Sequence, residues 1–146
     1  MAAASIRVNT GIKRIEVNDN GDFVTLSLND NAFLEKFFSL YENLKKMAEE
    51  STKKEAAIRE RYKDSADANG QLRETFSLYS EAGRSLTEEV DKLFGEGTCK
   101  KVFGDITPSF ELFIEFFEQL TPYLHAFAKE KVERMSKYSA SRTGNV

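Results

Sequence analysis

Between Asp22 and Asn29 the chain reads DFVTLSLN, in which Val24, Leu26 and Leu28 alternate with Phe23, Thr25 and Ser27. A period of two predicts a strand with one buried face. Upstream, SIRVN (5–9) and KRIEV (13–17) are short, β-branched and polar-alternating, with Thr10-Gly11 as a turn between them. The N-terminal region therefore predicts a small antiparallel sheet of two or three strands. A ribbon of that size is marginal alone, so its Val24/Leu26/Leu28 face must lean on a helix.

The period then changes. Asp30 or Asn31 is placed to cap a helix, since a short side-chain oxygen there accepts a bond from an otherwise unpaired N–H. Phe33, Phe37, Leu40, Tyr41, Leu44 and Met47 follow at steps of three and four, widened by Leu34 and Phe38. Beyond Ala48 only Ile58 and Tyr62 are large and apolar, so a continued helix rests on propensity and on ion pairs such as Glu55 with Arg59. That part is expected to project into solvent or await a partner. Asn69-Gly70 predicts a break. Leu72, Phe76, Tyr79, Gly83, Leu86, Val90 and Leu93 then trace a heptad spacing, the mark of a helix packed lengthwise on another. Gly83 within it either permits close helix approach or marks a kink or short break.

This helix is expected to end near Gly95-Glu96-Gly97, with Thr98 capping a short helix over 99–103. Thr107 as N-cap and Pro108 at the first helical position then open a last long helix. Phe110, Phe113, Ile114, Phe117, Leu120, Leu124 and Phe127 form its inner stripe, and Leu112, Phe116 and Tyr123 a second apolar face. Pro122 is expected to bend it. From Ser139 the residues are small and polar and read as a disordered tail. The pattern thus predicts an α+β, mainly α fold: a small N-terminal antiparallel β ribbon packed on a bundle of three long helices plus one short helix. It forms a single domain over 1–138, with the ribbon in 1–29, the bundle in 31–138 and the tail in 139–146.

Composition sharpens this picture in three ways. The chain of 146 residues suits one hydrophobic core, and with twelve phenylalanines and no tryptophan that core is built from rings needing no hydrogen-bond partner. A net charge of −3 supplies no field toward nucleic acid, and Lys45-Lys46, Lys53-Lys54 and Arg59/Arg61 alternate with glutamates as an ion-paired helix surface would. Cys99 is the sole cysteine, the opening MAAASIRVNT does not read as a signal peptide, and no apolar run approaches the ~20 residues that cross a bilayer. A soluble cytoplasmic protein is expected, with neither membrane nor nucleic acid as partner.

The strongest candidate for chemistry is LFGEGTCKKVFGD (93–105), which either cradles a phosphate or turns the chain between two helices. It lacks the four-residue glycine spacing and Lys-Ser/Thr end of a Walker loop. Lys100 also stands where a dinucleotide fingerprint needs its third glycine. The turn is the favoured reading, with anion binding as the minor one. Cys99 and His125 form no indicated triad or metal set, and Glu111, Glu115 and Glu118 fall on the polar side of the last helix. The chain therefore reads as a non-enzyme without cofactor. Leu112, Phe116, Tyr123, Phe37 and Tyr41 are its candidate partner-binding or oligomer-forming residues, because large apolar patches seldom stay exposed on a monomer.

The stretch GEGTCKKVFGDITPSFELFIEFFEQL resembles small proteins from the tail-morphogenesis region of phages and prophages of Gram-positive bacteria. That group carries a comparable LFGEGT…K-x-FG block before a phenylalanine-rich helix. Some members share a closing stretch like KYSASRTGNV, and the ribbon leading into NDxxFLEKFFSLYENL is also similar. The resemblance skips the charged middle, residues 48–69. It implies a tail assembly chaperone that binds the coiled-coil tape-measure protein, or another tail protein, and shields its apolar seams. The alternative of a different class is a phage-encoded inhibitor of a bacterial enzyme or defence system.

Overall fold

The computed structural model describes residues 3–144, with side chains through residue 140. The first two residues of the segment read as lacking a signal peptide, and the last two of the expected tail, lie outside the described residues. The fold is α+β and mainly α, as the pattern predicts. Strands β1 (Ile12–Glu16) and β2 (Phe23–Ser27) precede helices α1 (Asn31–Tyr62), α2 (Ala68–Phe94), α3 (Thr98–Phe103) and α4 (Phe110–Gly144). Two compact units result, Met1–Ile114 and Glu115–Val146. The first holds the ribbon, α1, α2, α3 and the opening turn of α4; the second is the rest of α4.

In the first unit β1 and β2 are antiparallel, with Ile15 opposite Val24 and Lys13 opposite Leu26. Val24, Leu26 and Leu28 are buried and β2 packs on α2, so the ribbon leans on a helix as its alternation requires. Residues 5–9 form no strand; they are exposed, and Gly11 turns left-handed (φ 71°) between them and β1. The turn between the strands is organised by Asn18. Its Oδ1 accepts from the Asn20 and Asp22 amides, and its Nδ2 donates to Asp22 Oδ2 and, at 3.0 Å, to the Lys101 carbonyl in α3. One side chain thereby shapes the hairpin and ties it to a helix distant in sequence.

Asp30 caps α1, its Oδ1 accepting from the Ala32 and Phe33 amides. The core below is aromatic. Phe33 meets Phe94 edge-on at 5.7 Å, and Phe37 meets the same ring at 6.3 Å. Leu40, Leu44, Leu86 and Val90 complete the buried α1–α2 seam.

Several local readings are corrected by packing. The charged half of α1 does not project into solvent: Ser51 and Ile58 are buried, and the Tyr79 hydroxyl of α2 donates to Glu55. Farther along, Arg61 pairs with Glu74 at 3.2 Å. The break precedes Asn69-Gly70, because Asp67 caps α2 by accepting from the Gly70 amide. Gly83 does not interrupt α2; a Cβ there would stand 2.6 Å from the Pro108 carbonyl oxygen, so close approach is its role. Gly97, left-handed at φ 84°, occupies the N-cap of α3, while Thr98 is its first residue and donates its hydroxyl to the Gly95 carbonyl. Pro108 lies before α4 rather than in it, and the Ser109 carbonyl accepts the first bonds, from the Leu112 and Phe113 amides.

In the second unit the helix passes through Pro122 and continues to Gly144, so the segment expected to be disordered from Ser139 is helical over its described part. Phe116, Phe117, Leu120, Leu124 and Phe127 are buried, whereas Val132, Met135 and Tyr138 are exposed. Two cations, Lys131 and Arg134, lie over the Phe127 ring.

Candidate functional site

The glycine-rich run is a connector. Gly95 ends α2 at φ 120°, its amide donating to the Asp91 carbonyl at 2.8 Å, and Gly104 ends α3 in the same manner on Lys100. Positive φ at Gly95, Gly97 and Gly104 is what such tight stops demand of a residue without Cβ. Two of the amides that would have to receive a phosphate, those of Thr98 and Cys99, are already occupied. The Cys99 amide donates to Asp91 Oδ1 at 2.9 Å, and the Thr98 amide donates to the Gly95 carbonyl. A protein carboxylate thus sits where the anion would go and would repel it. The sequence did hold a signal for this: an aspartate in the last turn of a helix opposes the helix dipole and calls for a tertiary reason.

The same carboxylate acts on Cys99. The thiol is buried, with Thr87 O at 3.8 Å from its sulfur, and burial together with Asp91 pushes its pKa from 9.0 to about 12. Well below both values the folded chain holds roughly a thousandth of the thiolate that the unfolded chain does. Iodoacetamide at pH 8 is therefore expected to label the native chain about a thousandfold more slowly than the guanidinium-unfolded one. Equal rates would show that the thiol is open to attack. Because the unfolded chain ionises first, the stability associated with this thiol is complete below pH 9 and declines as pH rises toward about 12. His125 is exposed, and among the described residues no group of three His, Cys, Asp or Glu side chains could hold a metal.

A polar layer joins the far ends of α1 and α2. Hydrogen bonding to Glu55 raises the pKa of Tyr79, and hydrogen bonding to Glu74 raises that of Tyr62. The Tyr62 hydroxyl, followed by Arg61, holds Glu74 below the usual carboxylate range. These contacts tie the helices in register. Sequence reasoning missed both tyrosine–glutamate pairs, since Glu55 was assigned to Arg59 on its own helix. Between the two helices lies an open cleft of about 530 Å³ lined by Lys36, Ser39, Leu40, Asn43, Glu89, Lys92 and Leu93. Asn43 bridges toward Glu89 within it.

The expected partner-binding residues separate by burial. Phe37 is fully buried in the aromatic core and Phe116 is 7% exposed, so neither side chain is open to a partner in this chain. Tyr41 and Leu112 are half-buried, the former beneath Lys45, and Tyr123 is exposed. What the heptad reading did not foresee is that its first residues stay uncovered. Leu72 is 51% and Phe76 65% exposed, although Gly83, Leu86 and Val90 of the same stripe are buried. No helix of the described residues is long and apolar enough to cross a membrane. No curated protein and no solved structure matches the chain. The chain belongs to the family of unknown function DUF6673, whose profile matches residues 20–145.

Proposed function

We propose that this DUF6673 member is a non-enzymatic assembly factor of the phage-tail kind, which holds an apolar helical segment of another protein, such as the tape measure, against its own helices. The observation that carries the reading is the uncovered start of the α2 stripe. Leu72 and Phe76 follow the same spacing as the buried Leu86 and Val90, so a second helix can continue the lengthwise packing there. Large apolar side chains at i and i+4 cost solubility unless something covers them in use. The occupied amides at the start of α3 and the protonated Cys99 fit a chain that works by contact rather than by chemistry.

The test is co-expression with a tape-measure fragment followed by affinity capture. The fragment is expected to be soluble and retained with the wild-type chain. It should be lost with Leu72→Asp/Phe76→Asp, whose helical circular dichroism stays unchanged because both side chains face solvent. A fragment that is soluble by itself and never captured ends this reading.

A further inference from the structure

We propose that two copies of this chain join through the open edge of β1, antiparallel and in one register, to make a four-stranded sheet in the order β2-β1-β1-β2. Among the described residues the sheet has two strands only, so the backbone donors and acceptors of Ile12, Arg14 and Glu16, on the side of β1 away from β2, have no strand beside them. Ile12, Lys13, Arg14 and Glu16 are exposed along it, and Ile15 is half-buried. Among the described residues the N-terminal arm adds no strand to this edge. Before the left-handed Gly11, its Val8, Asn9 and Thr10 border a groove with Ile12, Ser27, Asn29 and Asp30, at the end of β2. An uncovered edge templates pairing with another strand unless its side chains forbid it.

Side-chain charge and strand overlap together leave one centred register for β1. When identical strands pair about a twofold axis, the axis must pass through a residue, so that both copies present the same face and outward-pointing amides meet carbonyls. An axis on Lys13 sets Lys13 against Lys13, and an axis on Arg14 sets Arg14 against Arg14. Axes on Ile12 or Glu16, at the strand ends, bring only that one strand residue opposite its copy. An axis on Ile15 sets Ile15 against Ile15 and Arg14 of each copy directly opposite Glu16 of the other. Lys13 then falls across from Val17, where its alkyl stem lies on an apolar side chain.

Among the described residues neither Arg14 nor Glu16 has an ionic counterpart within 4.0 Å. Arg14 is opposite Thr25 with its guanidinium 4.7 Å from the Phe23 ring, and Glu16 is opposite Phe23. Directly opposed unlike charges stabilise a strand pair and like charges weaken it, so the Arg14/Glu16 arrangement selects both the partner and the register. A two-stranded ribbon, marginal alone, gains by becoming a sheet of four.

The decisive experiment is sedimentation equilibrium of the full chain up to about 100 µM, with three variants. Wild type is expected to dimerise. Arg14→Glu and Glu16→Arg each place two like pairs across the axis and should weaken the dimer roughly tenfold or more. The doubly swapped Arg14→Glu/Glu16→Arg restores unlike pairs and should recover it. A second readout does not depend on these charges: Ile15→Cys should give a covalent dimer under mild oxidation, and Phe38→Cys, on α1, should not. A monomeric wild type overturns the proposal. So does a dimer indifferent to the single swaps, a double swap that stays monomeric, or cross-linking at residue 38 equal to that at residue 15.

Discussion

Phe37→Ala is expected to lower the unfolding free energy by about 3–5 kcal/mol, the range for emptying a fully buried phenylalanine site. The ring is completely withdrawn from solvent and lies among Phe33, Phe38, Tyr41 and Phe94, at centroid separations of 5.3 to 6.5 Å and mostly edge to face. Removing it loses the transfer term and also leaves a cavity walled by rings, which cannot collapse by small rotamer changes as aliphatic chains do. The neighbouring residue supplies the control. Phe38 is 41% exposed, so Phe38→Ala should cost less than about 1.5 kcal/mol. Urea unfolding followed by circular dichroism compares the two. Equal losses would mean that α1 is not anchored through Phe37, and with it the arrangement of α1 against the end of α2.

Gly83 is expected to resist even the smallest side chain. Gly83→Ala should lose about 1–2 kcal/mol and Gly83→Val about 3 kcal/mol or more, by the same measurement. Two effects oppose each other here. Alanine in the middle of a helix is worth about 1 kcal/mol over glycine, which by itself predicts a gain. The new Cβ would meet the Pro108 carbonyl oxygen at 2.6 Å and Thr107 Cγ2 at 3.0 Å. The first of these is a backbone atom and cannot swing away, so the segment 107–109 or α2 must shift, and repulsion wins. That segment also places Ser109, whose carbonyl starts α4, so the strain reaches the first turn of that helix. A net gain in stability from Gly83→Ala would refute the close packing.

Much of this architecture could be read from the chain, and the residues show why. The alternation of Val24, Leu26 and Leu28 and the cap at Asp30 were sufficient, because strand pleat and helix capping are set by neighbours in sequence. The stripe from Phe33 to Leu44 was likewise visible through its period. Where the reading failed, a distant residue had changed the balance. Ser51 and Glu55 lie in a stretch too polar to announce burial, yet α2 passes beside them and Tyr79 supplies the partner that Glu55 uses. Leu72 and Phe76 have the spacing of buried residues but stay exposed, since a heptad states which side chains share a face and not whether that face is covered. Thr98 and Pro108 carried ordinary helix-start signals that packing overrode.

Of the candidate site, sequence identified the connector and the reason it lacks the phosphate-loop spacing. It could not see Asp91 accepting from the Cys99 amide of α3, nor Asn18 reaching the Lys101 carbonyl. Local periodicity and capping, acting over a few residues, fixed the ribbon, the four helices and most of the core. Long-range contact alone decided which apolar side chains are consumed inside the chain and which remain for a partner. Burial depends on what another part of the chain brings near, and that information is absent from any window short enough to be read as a pattern.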